Sequence, residues 1–281
     1  MDRGYIYVNK TNYLNNISYL KSLSNKEICL VVKANGYGHG IEWAVKTAIE
    51  GGVKWFAVAA INEAIKVRNV SDSVRILLLT EPSLSEIDKI VSNNIDLTVY
   101  NDFFIEGLEK SGNSFNTHIK IDTGMHRVGC EPEDFENIYE KIKSSSNINL
   151  AGICTHFPVA DIEKAPTDVS IKLFKDLISN IDTSGLLIHV DNSGSTFYNF
   201  DPMFNLSRIG LAAYGCNITP VEVDHKLKPT MEIKTRISNI HHRKKGEAVS
   251  YGKALTLERD SIIGIAPVGY ADGYPWNSFP E

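Results

Sequence analysis

Short apolar runs recur along the first three quarters of the chain, each ending in small or polar residues. "ICLVVKAN" (28–35), "KWFAVAA" (54–60), "RILLLTE" (75–81), "DLTVYN" (96–101), "THIKIDTG" (117–124), "LAGICTHF" (150–157), "LLIHVDNS" (186–193) and "SRIGLAAYG" (207–215) make eight. Most of the gaps between them place apolar residues three and four apart, as in "GIEWAVKTAIEGG", "SLSEIDKIVSNN", "DFENIYEKIKSS" and "DVSIKLFKDLISNI". The short runs read as strands and the gaps as amphipathic helices. Strands that are apolar on both faces and alternate with helices build a parallel sheet. Eight such units within about 200 residues predict an α/β fold of the closed (β/α)8 type rather than an open doubly wound sheet.

From Pro229 onward the pattern changes. Apolar and polar residues alternate through "TMEIKTRISNIHHRKKGEAVSYGKALTLERDSIIGIAPVGYADG", with turn signals at "RKKGE" and "ADGY". That texture predicts an antiparallel β module. The expected organisation is an N-terminal strand within 1–10 that pairs with this module, a barrel over 11–225 and the β domain over 226–281. "HHRKKGE" reads as a solvated hairpin turn rather than a metal or phosphate site, because its spacing matches no ligand pattern.

Composition narrows the class. At 281 residues, 43% hydrophobic and 22% charged, the chain has the make-up of a soluble globular protein of barrel size. Its net charge of -5 comes from interspersed signs, without a basic stripe for nucleic acid. "MDRGYIYVNK" lacks the apolar core of a signal peptide, and no run is long enough to span a membrane. Cys29, Cys130, Cys154 and Cys216 lie far apart, mostly in apolar segments. They are expected to be reduced and buried in a cytoplasmic protein.

Candidate chemistry sits at the strand ends, since reactive residues of such barrels gather at the C-terminal face. Those ends supply Lys33, Asp122 with Arg127 just beyond it, His156, Asn192 and Ser193, and strand eight adds Arg208 and Gly210. Each alone has a bland reading: a surface lysine, a satisfied core histidine, a structural arginine. Together they describe one rim. A lysine leaving a dry strand offers an amine for a Schiff base. Ser193 and the backbone N–H groups of "SRIGL" offer uncharged donors for a phosphate after strands seven and eight. An amine on one side and a phosphate cup on the other suit pyridoxal phosphate.

"VVKANGYGHG" resembles the cofactor-lysine motif of the alanine racemase family, the barrel-fold (fold type III) pyridoxal-phosphate enzymes. "KIDTGMHRVG", "GICTHF", "HVDNSGS", "SRIGLAAYG", "VSYG" and "VGYADG" resemble further motifs of that family, in the family's order. The resemblance implies racemisation of a small amino acid, L-alanine to D-alanine, in the cytoplasm by a homodimer with shared active sites. It implies that Lys33 binds the cofactor and serves as acid/base on one face of the substrate. Tyr251 of the partner subunit would serve the other face. Tyr37, Ser193, Gly210 and Leu211 would hold the phosphate, with Arg208 at the pyridine nitrogen and His156 near the ring. Arg127 would position the substrate carboxylate, and Tyr270 would line the entrance. Lys120 matches a position carbamylated in many members, while His189 and Asn192 are supporting residues. No metal is implied.

The chain departs from the family pattern at Gly36 and His126, where Ala and a small residue are common, and at "HFPVAD". It ends at "YPWNSFPE", before the family's Met-Asp motif and a later phosphate-holding tyrosine, so a C-terminally shortened β domain is expected. Three readings remain: an alanine racemase with serine as an alternative substrate, a pyridoxal-phosphate-binding protein of little or no activity, and a related decarboxylase. The last lacks its glycine-triplet loop, in whose place "SRIGL" stands. The racemase is favoured.

Overall fold

The computed structural model describes residues 4–23, 26–198, 200–218 and 225–275. Residues 1–3 of the expected N-terminal strand segment and 276–281 of the expected β domain lie outside them. The chain divides into two compact units, one formed by 1–8 with 231–281 and the other by 9–230. The barrel unit therefore runs to Thr230 rather than 225. The added residues are tied in by Asn16, whose amide donates to Ala213 O and Lys228 O and whose Oδ1 accepts from Lys228 N.

After β1 (Gly4–Val8), the barrel unit supplies β2 (Glu27–Val31), β3 (Trp55–Val58), β4 (Arg75–Leu78), β5 (Asp96–Val99), β6 (Phe115–Lys120), β7 (Ile148–Cys154), β8 (Leu187–His189) and β9 (Leu206–Ile209). These last eight form one parallel sheet in the order β8-β7-β6-β5-β4-β3-β2-β9. Asn205 N donating to Ile188 O (3.0 Å) and Arg208 N to Asp191 O (3.2 Å) join its two ends. The eight expected strands are present, and the fold is a (β/α)8 barrel.

The continuous apolar runs have a simple cause: each strand is buried on both faces. Ile28 and Leu30 of β2 pack outward against a helix layer, whereas Cys29 and Val31 point inward with Trp55, Ala57, Leu77 and Leu206. Helix α1 (Lys10–Leu23) precedes β2 and buries Tyr13, Asn16, Ile17 and Leu20, one stripe of a 3.6-residue period. The inner face around β5, β6, β8 and β9 differs, because Asp96, His118, Lys120, His189 and Arg208 are buried there. That part of the barrel interior is thus polar, which low-dielectric burial tolerates only when partners are provided.

The β unit pairs β1 with β10 (Met231–Thr235) antiparallel, Gly4 opposite Thr235 and Val8 opposite Met231. β11 (Asn239–Arg243) pairs with β14 (Ser261–Ile265), and β12 (Ala248–Val249) with β13 (Leu255–Thr256). "RKKGE" is consequently a turn between two strands that pair elsewhere, not the tip of a hairpin. Cys29, Cys130 and Cys154 are buried and free, but Cys216 is exposed, contrary to expectation. Its loop follows the barrel's last strand instead of lying within it. Among the described residues, no helix is long and apolar enough to cross a membrane.

Candidate active site

Beyond β2 the backbone enters a left-handed turn. Ala34, Asn35, Gly36 and Tyr37 have φ between 50° and 63°, followed by Gly38 at 84°. Left-handed geometry costs roughly 1–2 kcal/mol per non-glycine residue, so this turn needs support. Glu63 provides it, accepting from Ala34 N at 2.7 Å and Ala59 N at 2.9 Å, while Asn35 Oδ1 accepts from Ile41 N at 3.0 Å. Hydrogen bonds to a carboxylate contribute about 1.5–3 kcal/mol each, the same order as the strain. The sequence reading did not single out Glu63, which acts from 29 residues away. The turn brings Lys33, half-buried rather than dry, and Tyr37 to the same cavity.

Tyr37 packs beside Tyr214, with ring centroids 5.2 Å apart. Burial, with Cys216 and Glu63 nearby, pushes its phenol up to about 12, so its hydroxyl keeps a proton to donate. The oxygen rests against Gly210, where a Cβ would stand 2.6 Å away. Ser193 Oγ accepts from Gly210 N at 2.9 Å and Ala212 N at 3.4 Å. Gly210's N–H is therefore engaged by Ser193 instead of facing the cavity alone. Asn192 shapes this corner: its Oδ1 accepts from Gly194 N and Ser195 N, and its amide donates to Phe157 O. Leu211 borders the same corner.

Opposite lies the turn after β6. Asp122 Oδ1 accepts from the N–H groups of Gly124, Met125 and His126, and Oδ2 accepts from that of Arg127. Burial acts to raise the Asp122 carboxyl, but the N–H donors hold it below its ordinary value. This anchored turn presents Arg127 to the cavity. His126 points away, its side chain 83% exposed.

Lys120 faces inward and is 8% exposed. Burial above all lowers its ammonium, with Arg208 and Arg127 acting in the same sense and Cys154 and Asp122 opposing, to about 8. Burial first, then the cations of Arg208, Lys120, Arg127 and Lys33, together drive His156 down to about 3, so its imidazole is neutral. Arg208 is buried and held rigidly. Its Nη1 lies 2.6 Å from both His189 Nδ1 and His189 O, and Nη2 lies 2.6 Å from Thr155 O and 3.4 Å from Val190 O. None of these bonds uses its Nε–H.

Lys33, Tyr37, Lys120, Arg127, His156, Asn192, Ser193, Arg208, Gly210 and Leu211 all line one cavity of about 480 Å³ at the C-terminal strand ends. His189 reaches it through Arg208. Tyr251 and Tyr270 belong to the β unit and take no part in the cavity; they are 93% and 69% exposed. The sequence reading missed Glu63 and also His118, which bonds His189. A signal for His118 existed, since it shares the inward face of β6 with Lys120, two residues on.

Comparison with known proteins agrees with this architecture. Residues 8–218 match the family model for the alanine racemase N-terminal domain, and 230–280 that for the alanine racemase C-terminal domain. The chain is 35% identical to an alanine racemase of Treponema denticola, covering 96% of this chain and 75% of that protein. It is 32% identical to alanine racemase 1 of Bacillus subtilis, covering 92% and 69%. The solved biosynthetic alanine racemase from Pseudomonas aeruginosa superposes with a TM-score of 0.91 at 27% identity, over 99% of this chain and 78% of that one. A histidine racemase from Leuconostoc mesenteroides shares the fold, at a TM-score of 0.85 and 23% identity. The chain belongs to the alanine racemase family, a family of isomerases.

Proposed function

We propose that this protein racemises L-alanine and D-alanine with pyridoxal phosphate held on Lys33. The observation that carries the proposal is the single cavity where Lys33, Arg127 and Arg208 meet the Tyr37–Ser193–Gly210 corner. The residues suit the cofactor. Tyr37 and Ser193 are hydroxyl donors for its phosphate, and the missing Cβ at Gly210 leaves the backbone approachable. Leu211 would add its N–H group, while Gly210's N–H holds Ser193 in place, with Asn192 shaping the corner and His156 flanking the ring as a neutral imidazole.

When bound, the cofactor supplies an electrophilic carbon for the substrate amine and a ring that draws electron density from Cα. The Lys33 amine removes or returns the Cα proton on one face. Tyr251 of the partner subunit serves the opposite face, which is the reason the reaction needs a homodimer. Apolar side chains exposed on the β unit, including Ile6, Ile233, Ile240 and Ile262, support burial against a partner. Arg127 holds the substrate carboxylate, and Tyr270 borders the entrance. Arg208, always cationic, would offer its Nε–H to the ring nitrogen and would keep that nitrogen unprotonated. An unprotonated ring would supply only weak electron withdrawal, which would favour return of the Cα proton over other bond cleavages. Lys120, between two guanidiniums, would become an anion as a carbamate and so balance them.

The assignment of Lys33 is tested by borohydride reduction of protein incubated with pyridoxal phosphate, followed by peptide mapping. The tag is expected on Lys33; a tag on another lysine, or none, contradicts the proposal.

A further inference from the structure

Beneath Arg208 a line of buried polar groups continues through the barrel interior. His118 Nδ1 lies 2.8 Å from His189 Nε2, both rings are fully buried, and they meet edge to face at 71°. His118 Nε2 faces Asp96 Oδ2 at 3.6 Å, and Asp96 Oδ2 also takes the Arg75 guanidinium at 2.5 Å. His118 stands on β6 and His189 on β8, so their bond passes over the intervening β7. It can do so because residue 152 of β7 is glycine: a Cβ there would stand 2.4 Å from His118 Nδ1. The pairing is built into the strand sequence.

The direction of every proton in this line follows from Arg208. A guanidinium only donates, so His189 Nδ1 must accept and be bare. His189 then carries its proton on Nε2 and donates it to His118 Nδ1, which must also be bare. The proton of His118 is left on Nε2, pointing at the Asp96 carboxylate. Reversing either ring would set two donors against each other, an arrangement that burial makes costly.

We infer that His118 is a positioning residue for the reaction: seated by Gly152 and Asp96, it locks His189 in the one tautomer that accepts from Arg208. This deepens the proposed function, because the guanidinium so fixed is the one assigned to the cofactor's ring nitrogen. His118 itself lies one residue removed from the cavity and touches no reactant.

The inference is tested on the full chain without added cofactor, by nitrogen NMR of histidine-labelled protein. His118 and His189 are expected as neutral Nε2–H tautomers between about pH 6 and 9. A protonated ring, or an Nδ1–H signal from either, overturns the inference even if every variant fails to fold. Gly152→Ala is expected to shift the His189 resonances by forcing the rings apart. His118→Leu is expected to shift them too and to lower kcat for L-alanine roughly tenfold at unchanged KM, as outer-shell partners of an oriented group do. His118→Asn places an amide oxygen near the Nδ1 position and should restore most of kcat. A folded His118→Leu protein with unchanged resonances and kcat contradicts the inference. Protein that shows the expected tautomers but binds no pyridoxal phosphate sinks the proposed function and leaves the locked pair standing.

Discussion

The Tyr37 hydroxyl rests so closely on Gly210 that a Cβ at that position would stand 2.6 Å from its oxygen. No side chain fits there unless the tyrosine moves, and moving it opens the corner that also holds Ser193. Overpacking of this kind costs about 1–3 kcal/mol. Gly210→Ala is therefore expected to weaken pyridoxal-phosphate binding by about that amount, read by titration of the cofactor's absorbance. In a Tyr37→Phe background, the same substitution should cost less, because the clashing oxygen is gone. Equal losses in both backgrounds would show that the contact does not matter.

Glu63 braces the left-handed turn with both carboxylate oxygens. Glu63→Ala should lower unfolding stability by about 1–3 kcal/mol, because water at the exposed Ala34 and Ala59 N–H groups replaces part of what the carboxylate gives, and Glu63→Gln by less. Urea denaturation checks the order of the three proteins. Amide hydrogen exchange at Ala34 should quicken first in the alanine variant, since its partner is lost there.

Acid should destabilise the protein partly through His156. Its pKa in the fold, about 3, lies below the ~6.5 of an unfolded histidine. Between those values the unfolded chain binds a proton that the native chain does not, so stability falls as pH drops from about 6.5 to 3. His156→Gln should lose less stability than the parent between neutral pH and about pH 4.5. Identical losses would mean that the ring is not held neutral.

Lys120 is placed for carbamate formation, because burial brings its amine to about 8 and two guanidiniums favour a neighbouring anion. Carbon NMR with labelled bicarbonate should show a protein-bound carbamate near pH 8 that fades on acidification. The signal should be absent from Lys120→Gln. Its persistence in that variant would assign it to another lysine.

Much of the barrel was legible in the sequence because two-sided burial writes each strand as an apolar run ending in a polar residue. Lys33, His156 and Ser193 stood out for that reason. Glu63 did not: it acts across 29 residues, from the first turn of a helix, and resembles any surface glutamate. His118 and Gly152 were hidden differently. Each looks ordinary in its own strand, and only the closed barrel shows that the glycine clears a path between two histidines 71 residues apart. Cys216 misled in the opposite sense, since its apolar run continues past the end of β9 into an exposed loop.

Two-base racemisation is tested by proton NMR of L-alanine in D2O with the protein and pyridoxal phosphate, followed by chiral separation. With a base on each face, the Cα–H signal is expected to disappear as deuterated D-alanine appears. Exchange that leaves the amino acid entirely in the L form, or no exchange by protein that has bound the cofactor, would contradict it.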